Sequence, residues 1–192
     1  MPRQSNTREA ILESASKLFY SEGIRAVSMD SVAEKANVTK KTLYYHFASK
    51  DDLIEGYLVG RDQPNLALFT KWFNDNPGPI WSKVQAIFTQ LSVSVQHPKW
   101  RGCGFLRTAG ELANMPGHPA MKAAAKHKCN VERWLADELA GEGVEHASSV
   151  ARQILILLDG AFSGMLVHRD VDFIKQAGEA AAVLVRAAVK AG

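Results

Sequence analysis

The fold is decided by residues 29–53, which read MDSVAEKANVTKKTLYYHFASKDDL. Ser28 and Thr39 each follow a valine and each precede an apolar residue by four positions. This spacing is typical of a hydroxyl-capped helix start that is closed by a hydrophobic staple. We therefore predict two very short helices, Met29 to Ala36 and Lys40 to about His46, joined by the turn Asn37-Val38-Thr39.

Two short helices at this spacing form a helix-turn-helix, and Asn37 is one of the few non-glycine residues that tolerate the positive φ of such a tight turn. Lysine reaches phosphate or guanine, threonine reaches the thymine methyl, and a tyrosine hydroxyl suits phosphate oxygens. The alternative is a solvated helix with a basic turn. The second helix is expected to expose Thr39, Lys40, Lys41, Thr42, Tyr45 and His46.

Helices also flank this motif. Ile11, Leu12, Ala15, Leu18 and Phe19 form one apolar stripe that Gly23 is placed to end. Ser49 and Asp52 form a Ser-x-x-Asp capping box for a third helix. That helix is expected to run from Lys50 towards Asp75, with Pro64 kinking it near Gly60.

Composition and charge are those of an ordinary compact protein. The chain has 192 residues, 46% hydrophobic and 22% charged, which excludes disordered, collagen-like and disulfide-scaffold classes. The net charge of +3 is too small to indicate nucleic acid alone, but residues 35–50 contain four lysines and no acid. Helical periodicity runs nearly everywhere and period-two alternation nowhere, so we predict an all-α fold.

The remaining helices are marked by turn residues and apolar periodicity. Asn76-Pro-Gly-Pro79 and Pro98 to Gly104 read as breaks, as do residues 115–119 and 141–143. The predicted helices run from Ile80 to before His97, Phe105 to Asn114, about Ala120 to Ala140, about His146 to Val167, and Asp172 to Lys190.

Several function classes are not supported by the sequence. Cys103 and Cys129 form no CxxC motif, and their spacing to the histidines matches no metal site, so we expect no cofactor or metal and a reducing cytosol. GxSxG, HExxH, P-loop and GxGxxG motifs are absent, so we expect no enzyme. The start lacks a secretion signal, and the apolar window Ile154 to Val167 is short for a membrane span, which predicts a cytoplasmic protein without a membrane partner.

Residues Met29 to Leu53 closely resemble the DNA-binding domain of the TetR (tetracycline-repressor) family of bacterial regulators. The most recognisable stretch is Thr42-Leu43-Tyr44-Tyr45-His46-Phe47, followed by Ser49, Lys50 and Leu53. The resemblance implies a helix-turn-helix DNA-binding domain at residues 1–48. It also implies a helical effector-binding and dimerisation domain at residues 49–192, of which 49–75 form a linking helix.

The resemblance also implies roles for individual residues. Phe47 would lock the recognition helix against helix one, and Asn37 and Lys41 stand where glycine is common in the family. Thr39, Lys40, Lys41, Thr42 and Tyr45 would line the major groove, while Ser28, Tyr44, His46 and Lys50 would hold phosphates.

The last two helices carry seams of small and apolar residues that favour close helix packing. Two such helices from each subunit would make a four-helix dimer interface; the alternative is that the seams face their own core. The seam residues are Ile154, Leu157, Ala161, Gly164, Phe173, Ala177, Ala180, Leu184 and Ala188.

Aromatic or polar residues in the middle of the chain are candidates for an effector pocket, although ordinary core packing also explains the aromatic ones. Asp159, inside an apolar run, needs a partner, water or ligand. Arg107 and Glu111, four residues apart, either pair on the surface or anchor a ligand. The candidates are Trp72, Trp81, Phe88, Phe105, Arg107, Glu111, Trp134, Asp159, Phe162 and Met165.

Together these features predict a homodimeric regulator, a repressor that binds a palindromic operator in double-stranded DNA. A small, largely apolar effector would enter the helical core and shift the long helix near Gly60 and Pro64. One alternative is a DNA-binding regulator without a small-molecule effector, acting with a protein partner. Another is a helical enzyme with an accidental helix-turn-helix, which the stapled basic turn argues against.

Overall fold

The computed structural model describes residues 2–189, with side chains from Asn6 onward. Within that range the chain forms nine helices and no strand, apart from an isolated bridge between Val144 and Val189. The predicted all-α fold is confirmed. The helices are α1 (Pro2–Glu22), α2 (Met29–Lys35), α3 (Lys40–His46), α4 (Lys50–Asn74), α5 (Ile80–Ser94), α6 (Gly104–Glu111), α7 (Pro119–Gly141), α8 (Ala147–His168) and α9 (Asp172–Ala188).

Helix α1 forms as its apolar stripe predicts. Ile11, Ala15 and Phe19 are buried. The helix ends at Glu22, and the next residue, Gly23, has a φ of 92°, which glycine adopts without strain and other residues do not. The Gly23 amide donates to the Phe19 carbonyl at 3.0 Å and closes the last turn.

The described residues divide into two compact units. The N-terminal unit holds the chain up to Gln63 together with Cys103–Ala125; the C-terminal unit holds Pro64–Gly102 and the chain from Lys126 onward. This division differs from the boundary predicted between residues 48 and 49. The reason is packing, because four residues distant in sequence complete the core around α1 to α3: Phe105, Leu112, Ala120 and Ala124.

Most helix ends lie within two residues of their predicted positions, and α6 is the main exception. It ends at Glu111 rather than Asn114, because the chain turns there through short-range bonds, including Met115 N to Leu112 O at 2.7 Å. Helix α4 continues through Pro64. Helix α9 ends at Ala188, and Lys190, the predicted end, lies outside the described residues.

The C-terminal unit is built on α9, which packs against both α5 and α8. Gly178 permits the close approach of α9 to α5, since a Cβ there would lie 2.6 Å from the Phe88 Cβ. Helix α8 is long and apolar enough to cross a membrane, longer than the predicted window. One face of the helix, including Ile154, Leu158 and Met165, is buried inside the unit, whereas Ile156 and Val167 on its other side are exposed.

Candidate nucleic-acid interface

Helix α2 begins at a reciprocal hydrogen-bonded cap. The Ser28 hydroxyl accepts from the Ser31 amide at 3.0 Å, and the Ser31 hydroxyl accepts from the Ser28 amide at 3.1 Å. Val27 and Val32, the predicted staple, are both buried. The sequence predicted Ser28 as the N-cap but did not predict that Ser31 completes the capping box, because the N3 position of a capping box is usually glutamate or glutamine.

The turn between α2 and α3 has the left-handed residue that the sequence predicts. Asn37 has a φ of 54°. Its amide donates to the Glu34 carbonyl, and the Val38 amide donates to the Ala33 carbonyl, each at 3.0 Å. These two bonds form a Schellman motif, in which the residue after the helix adopts the left-handed conformation. The motif sets the direction in which the chain enters α3.

Helix α3 is anchored at one side and presents the other. The Thr39 hydroxyl caps it by accepting from the Thr42 amide at 3.1 Å. Leu43 is fully buried, whereas Tyr45 is 72% exposed. The predicted DNA-contacting residues thus all reach solvent: Ser28, Thr39, Lys40, Lys41, Tyr44 and Tyr45 are exposed, and Thr42, His46 and Lys50 are half-buried.

One lysine of this face already has a partner. The Lys40 Nζ lies 2.7 Å from an Asp30 carboxylate oxygen, and both side chains are exposed. The hydrogen bond from Lys40 to Asp30, aided by their charges, raises the pKa of the Lys40 ammonium. Contact of Lys40 with DNA would exchange this ion pair for a phosphate or base.

A cation from α1, Arg8, lies near the end of α3, and sequence reasoning missed it. The Arg8 guanidinium of α1 lies over the Phe47 ring, 4.9 Å from its centroid. Phe47 is buried, and a Cβ on Gly56 would approach it at 3.2 Å, so this ring packs against both α1 and α4. No local signal links Arg8 to Phe47, since the pair is distant in sequence.

Helix α4 begins with the predicted capping box. The Ser49 amide donates to Asp52 and the Asp52 amide donates to the Ser49 hydroxyl, each at 3.1 Å. Lys50, the first residue of the helix, donates to the Arg25 carbonyl at 3.5 Å. The turn before α2 and the start of α4 are thereby linked beside the recognition helix.

Three predicted pocket residues on α6 lie in the N-terminal unit. Phe105 is buried in its core. Arg107 donates to the Tyr20 carbonyl at 2.7 Å, and Glu111 accepts from the amides of Ile24 and Arg25. Of the two alternatives for Arg107 and Glu111, the surface pair is wrong, because each side chain binds the backbone at the end of α1 or just after it; the role of a ligand anchor stays a prediction.

The other pocket candidates lie in the C-terminal unit. Asp159 has the partner that its apolar surroundings required, because it forms an ion pair with Lys128. Trp134 stacks edge-on against Phe73. Phe162 and Met165 are buried, and Trp81 lies 5.4 Å below the Arg186 guanidinium. Phe88 and Trp72 line separate cavities of about 220 and 280 Å³.

The predicted dimer seam is partly wrong. Ile154 and Ala161 are buried in the core of their own unit, because α8 turns the face that contains them inward. Leu157, Gly164, Ala177, Leu184 and Ala188 are half-buried, and Phe173 and Ala180 are exposed. The seam analysis missed three largely exposed apolar residues: Ile156, Val167 and Val183.

Comparison with known proteins agrees with this geometry. The profile described as "Bacterial regulatory proteins, tetR family" matches residues 11–57. The HTH-type transcriptional regulator YjdC of Escherichia coli is 27% identical over 168 residues, 86% of this chain and 87% of its own. The transcriptional repressor KstR2 of Mycobacterium tuberculosis is 26% identical over 143 residues, 74% of this chain and 69% of its own.

Solved structures extend the likeness to nearly the whole fold. SCO4454, a TetR-family transcriptional regulator from Streptomyces coelicolor, superposes with a TM-score of 0.82 at 28% identity, covering 97% of both chains. These relatives are DNA-binding regulators rather than enzymes. With its capped helix-turn-helix and its exposed recognition helix, the chain contains the DNA-binding domain of the tetR family at residues 11–57 and is similar to TetR-family transcriptional regulators over nearly its whole length.

Proposed function

We propose that this regulator is a homodimeric repressor that binds a palindromic operator and is released from it by a small, largely apolar effector. The polar outer face of α3 supports DNA reading most directly, because a capped and stapled frame holds it outward while Leu43 is buried beneath it. The repressor assignment is supported by relatives whose names say repressor, such as KstR2.

Within this interface the residues divide by chemistry. Lys41 is exposed on the first turn of α3, where a recognition helix meets base edges. We assign it, with Thr39, Lys40, Thr42 and Tyr45, to the major groove. Phosphate contacts are assigned to Ser28, Tyr44, His46 and Lys50. These side chains lie beside α3 or project from its flanks, and the resemblance to the TetR family implies phosphate contacts at these residues.

Dimerisation is supported by two stripes that contain exposed apolar residues and that meet. On α8 the stripe contains the exposed residues Ile156 and Val167 and the half-buried Gly164. On α9 it contains Phe173 and Ala180. The Phe173 ring lies against Gly164 closely enough to join the two stripes into one apolar surface. A two-fold dimer on this surface would present two α3 helices to half-sites about 34 to 36 Å apart.

An effector acting on this dimer has to distinguish two conformations. Shifting operator occupancy from 99% to 1% takes about 5.5 kcal/mol of differential affinity. Aromatic side chains in the C-terminal unit, among them Phe73 and Trp134, favour an apolar ligand. The two compact units divide within α4 between Gln63 and Pro64, which supports the proposed hinge at Gly60 and Pro64.

The test is to select duplexes from a random-sequence pool with the purified protein and titrate the winners against salt. We expect an inverted repeat and a complex that weakens steeply with salt. A selected site without symmetry would contradict the dimer, and the absence of any salt-sensitive complex would contradict DNA reading by α3. Native mass spectrometry for a copurified small molecule separates an effector-responsive repressor from one acting with a protein partner. We propose that the protein acts in the cytoplasm.

A further inference from the structure

The Glu111 carboxylate, at the end of α6, binds the turn that precedes the helix-turn-helix. One oxygen accepts from the Ile24 amide at 3.2 Å and the other from the Arg25 amide at 3.0 Å. Both amides belong to residues that follow the end of α1, outside the hydrogen-bond pattern of the helix. Hydrogen bonds to a charged acceptor are stronger than neutral ones, so this pair fixes the turn firmly.

The same turn is bound from its other side. The Arg25 guanidinium donates to the Glu111 carbonyl and to the Asn114 side chain, the latter at 3.2 Å. Gly23 leaves room for the carboxylate, since a Cβ there would lie 3.1 Å from a Glu111 oxygen. Glu111 therefore holds the turn at residues 23–25 through both its carboxylate and its backbone carbonyl, and we call this set of contacts the clamp.

The clamped turn leads directly to two of the proposed phosphate contacts. Ser28, the cap of α2, follows Arg25 by three residues. The Lys50 ammonium donates to the Arg25 carbonyl at 3.5 Å. The Arg25 peptide unit thus has its amide bound to Glu111 and its carbonyl bound to Lys50.

We infer that Glu111 is a positioning residue for DNA binding, which acts through the Arg25 backbone on Lys50 and Ser28. This inference rests on the proposed function, in which Lys50 and Ser28 hold phosphates. Glu111 itself touches no DNA in this assignment. Releasing the turn lets Lys50 move away from the position at which it meets a phosphate.

The sign of the effect separates positioning from simple electrostatics. Removing an acidic group from a DNA-binding protein lessens its repulsion of the phosphates, so charge alone predicts tighter binding of the Glu111→Gln variant. Positioning predicts weaker binding, because the glutamine amide faces two N–H donors with a single acceptor oxygen. The two effects therefore point in opposite directions.

The experiment measures affinity and salt dependence of the full-length protein on a duplex that the wild-type protein selects from a random-sequence pool. The variants are Glu111→Gln, Lys50→Ala and the double variant. Glu179→Gln, on the exposed side of α9, is the matched control because it removes the same charge far along the chain. Circular dichroism and thermal melting show whether each variant is folded.

We expect Glu111→Gln to bind about tenfold more weakly, with the salt slope lowered by about one and base preference unchanged, as for loss of one phosphate contact. In the Lys50→Ala background, Glu111→Gln should lower the DNA affinity little further, because the two residues act through the same series of contacts. Glu179→Gln should bind like the wild type.

Wild-type affinity or tighter binding for Glu111→Gln would overturn the inference. It would also be overturned if the double variant bound DNA tenfold more weakly than Lys50→Ala alone. If the wild-type protein forms no salt-sensitive complex with DNA, the proposed function fails as well. If the wild type forms such a complex and only the result for Glu111→Gln differs from expectation, the inference alone fails. Should Glu111→Gln unfold, Glu111→Asp keeps the charge but withdraws the carboxylate by one methylene. It is expected to give the same loss of affinity and salt slope, and wild-type values for it would refute the positioning role.

Discussion

Substitution of Asn37 tests the turn on which the orientation of the recognition helix depends. The residue has a φ of 54° and an exposed side chain, so its replacement changes the backbone preference while burying or exposing almost nothing. The left-handed conformation costs an L-residue about 1 to 2 kcal/mol, and asparagine bears less of that cost than most. We therefore expect Asn37→Ala to lower the free energy of unfolding by about 1 kcal/mol and Asn37→Val by about 2 kcal/mol. Asn37→Gly should leave it unchanged or raise it slightly.

Thermal unfolding is the assay, since 1 kcal/mol moves the midpoint by about 2 to 4 °C in a chain of this size. Asn65, inside α4, is the control position, because in a helical backbone the alanine variant is expected to be more stable than the glycine variant, the reverse of the order at position 37. There alanine should be more stable than asparagine, and glycine less stable by about 1 kcal/mol relative to alanine. If alanine were at least as stable as glycine at position 37, the left-handed turn and the Schellman motif would be refuted.

Three further outcomes are expected. Lys41→Ala should change base preference at one position of the operator, whereas Tyr44→Phe should weaken all sequences alike; equal effects on every selected duplex would contradict the base-reading role of Lys41. Val167→Asp, at a site 69% exposed, should yield folded monomers in sedimentation experiments, while Val93→Asp, at a comparably exposed site on α5, should leave the dimer intact. Pro64→Ala should alter DNA release induced by a small molecule that native mass spectrometry finds bound to the purified protein, and release identical to wild type would remove the hinge from the mechanism.

The parts of the molecule that the sequence predicted well are those set by neighbouring residues. A cap such as Thr39 binds an amide three positions away, and the staple and the Schellman motif also close within one turn of helix. Side chains on the outer face of α3 follow from the same periodicity, because burying Leu43 turns the opposite side to solvent. The position and exposure of the recognition helix are therefore local properties.

The seam on α8 was harder to predict because an apolar helix offers more than one plausible interior face. Its buried set includes Ile154, Leu158 and Ala161, while Ile156 on the opposite side is 65% exposed. Periodicity identifies a stripe but not the direction it faces when apolar residues occur around much of the helix. The choice is made by α9, which packs against α8 at positions that no local pattern marks.

Arg107 and Glu111 show why the division into units also escaped sequence analysis. Their spacing of four residues is that of a helical ion pair, and a local interpretation stops there. Each side chain instead satisfies backbone groups more than eighty residues away, Tyr20 for one and Ile24 and Arg25 for the other. Unpaired backbone groups at a helix end require partners, but nothing in the end itself identifies which distant segment supplies them. Because α6 supplies these partners, the unit that contains the recognition helix includes a segment that the sequence assigned to the effector domain.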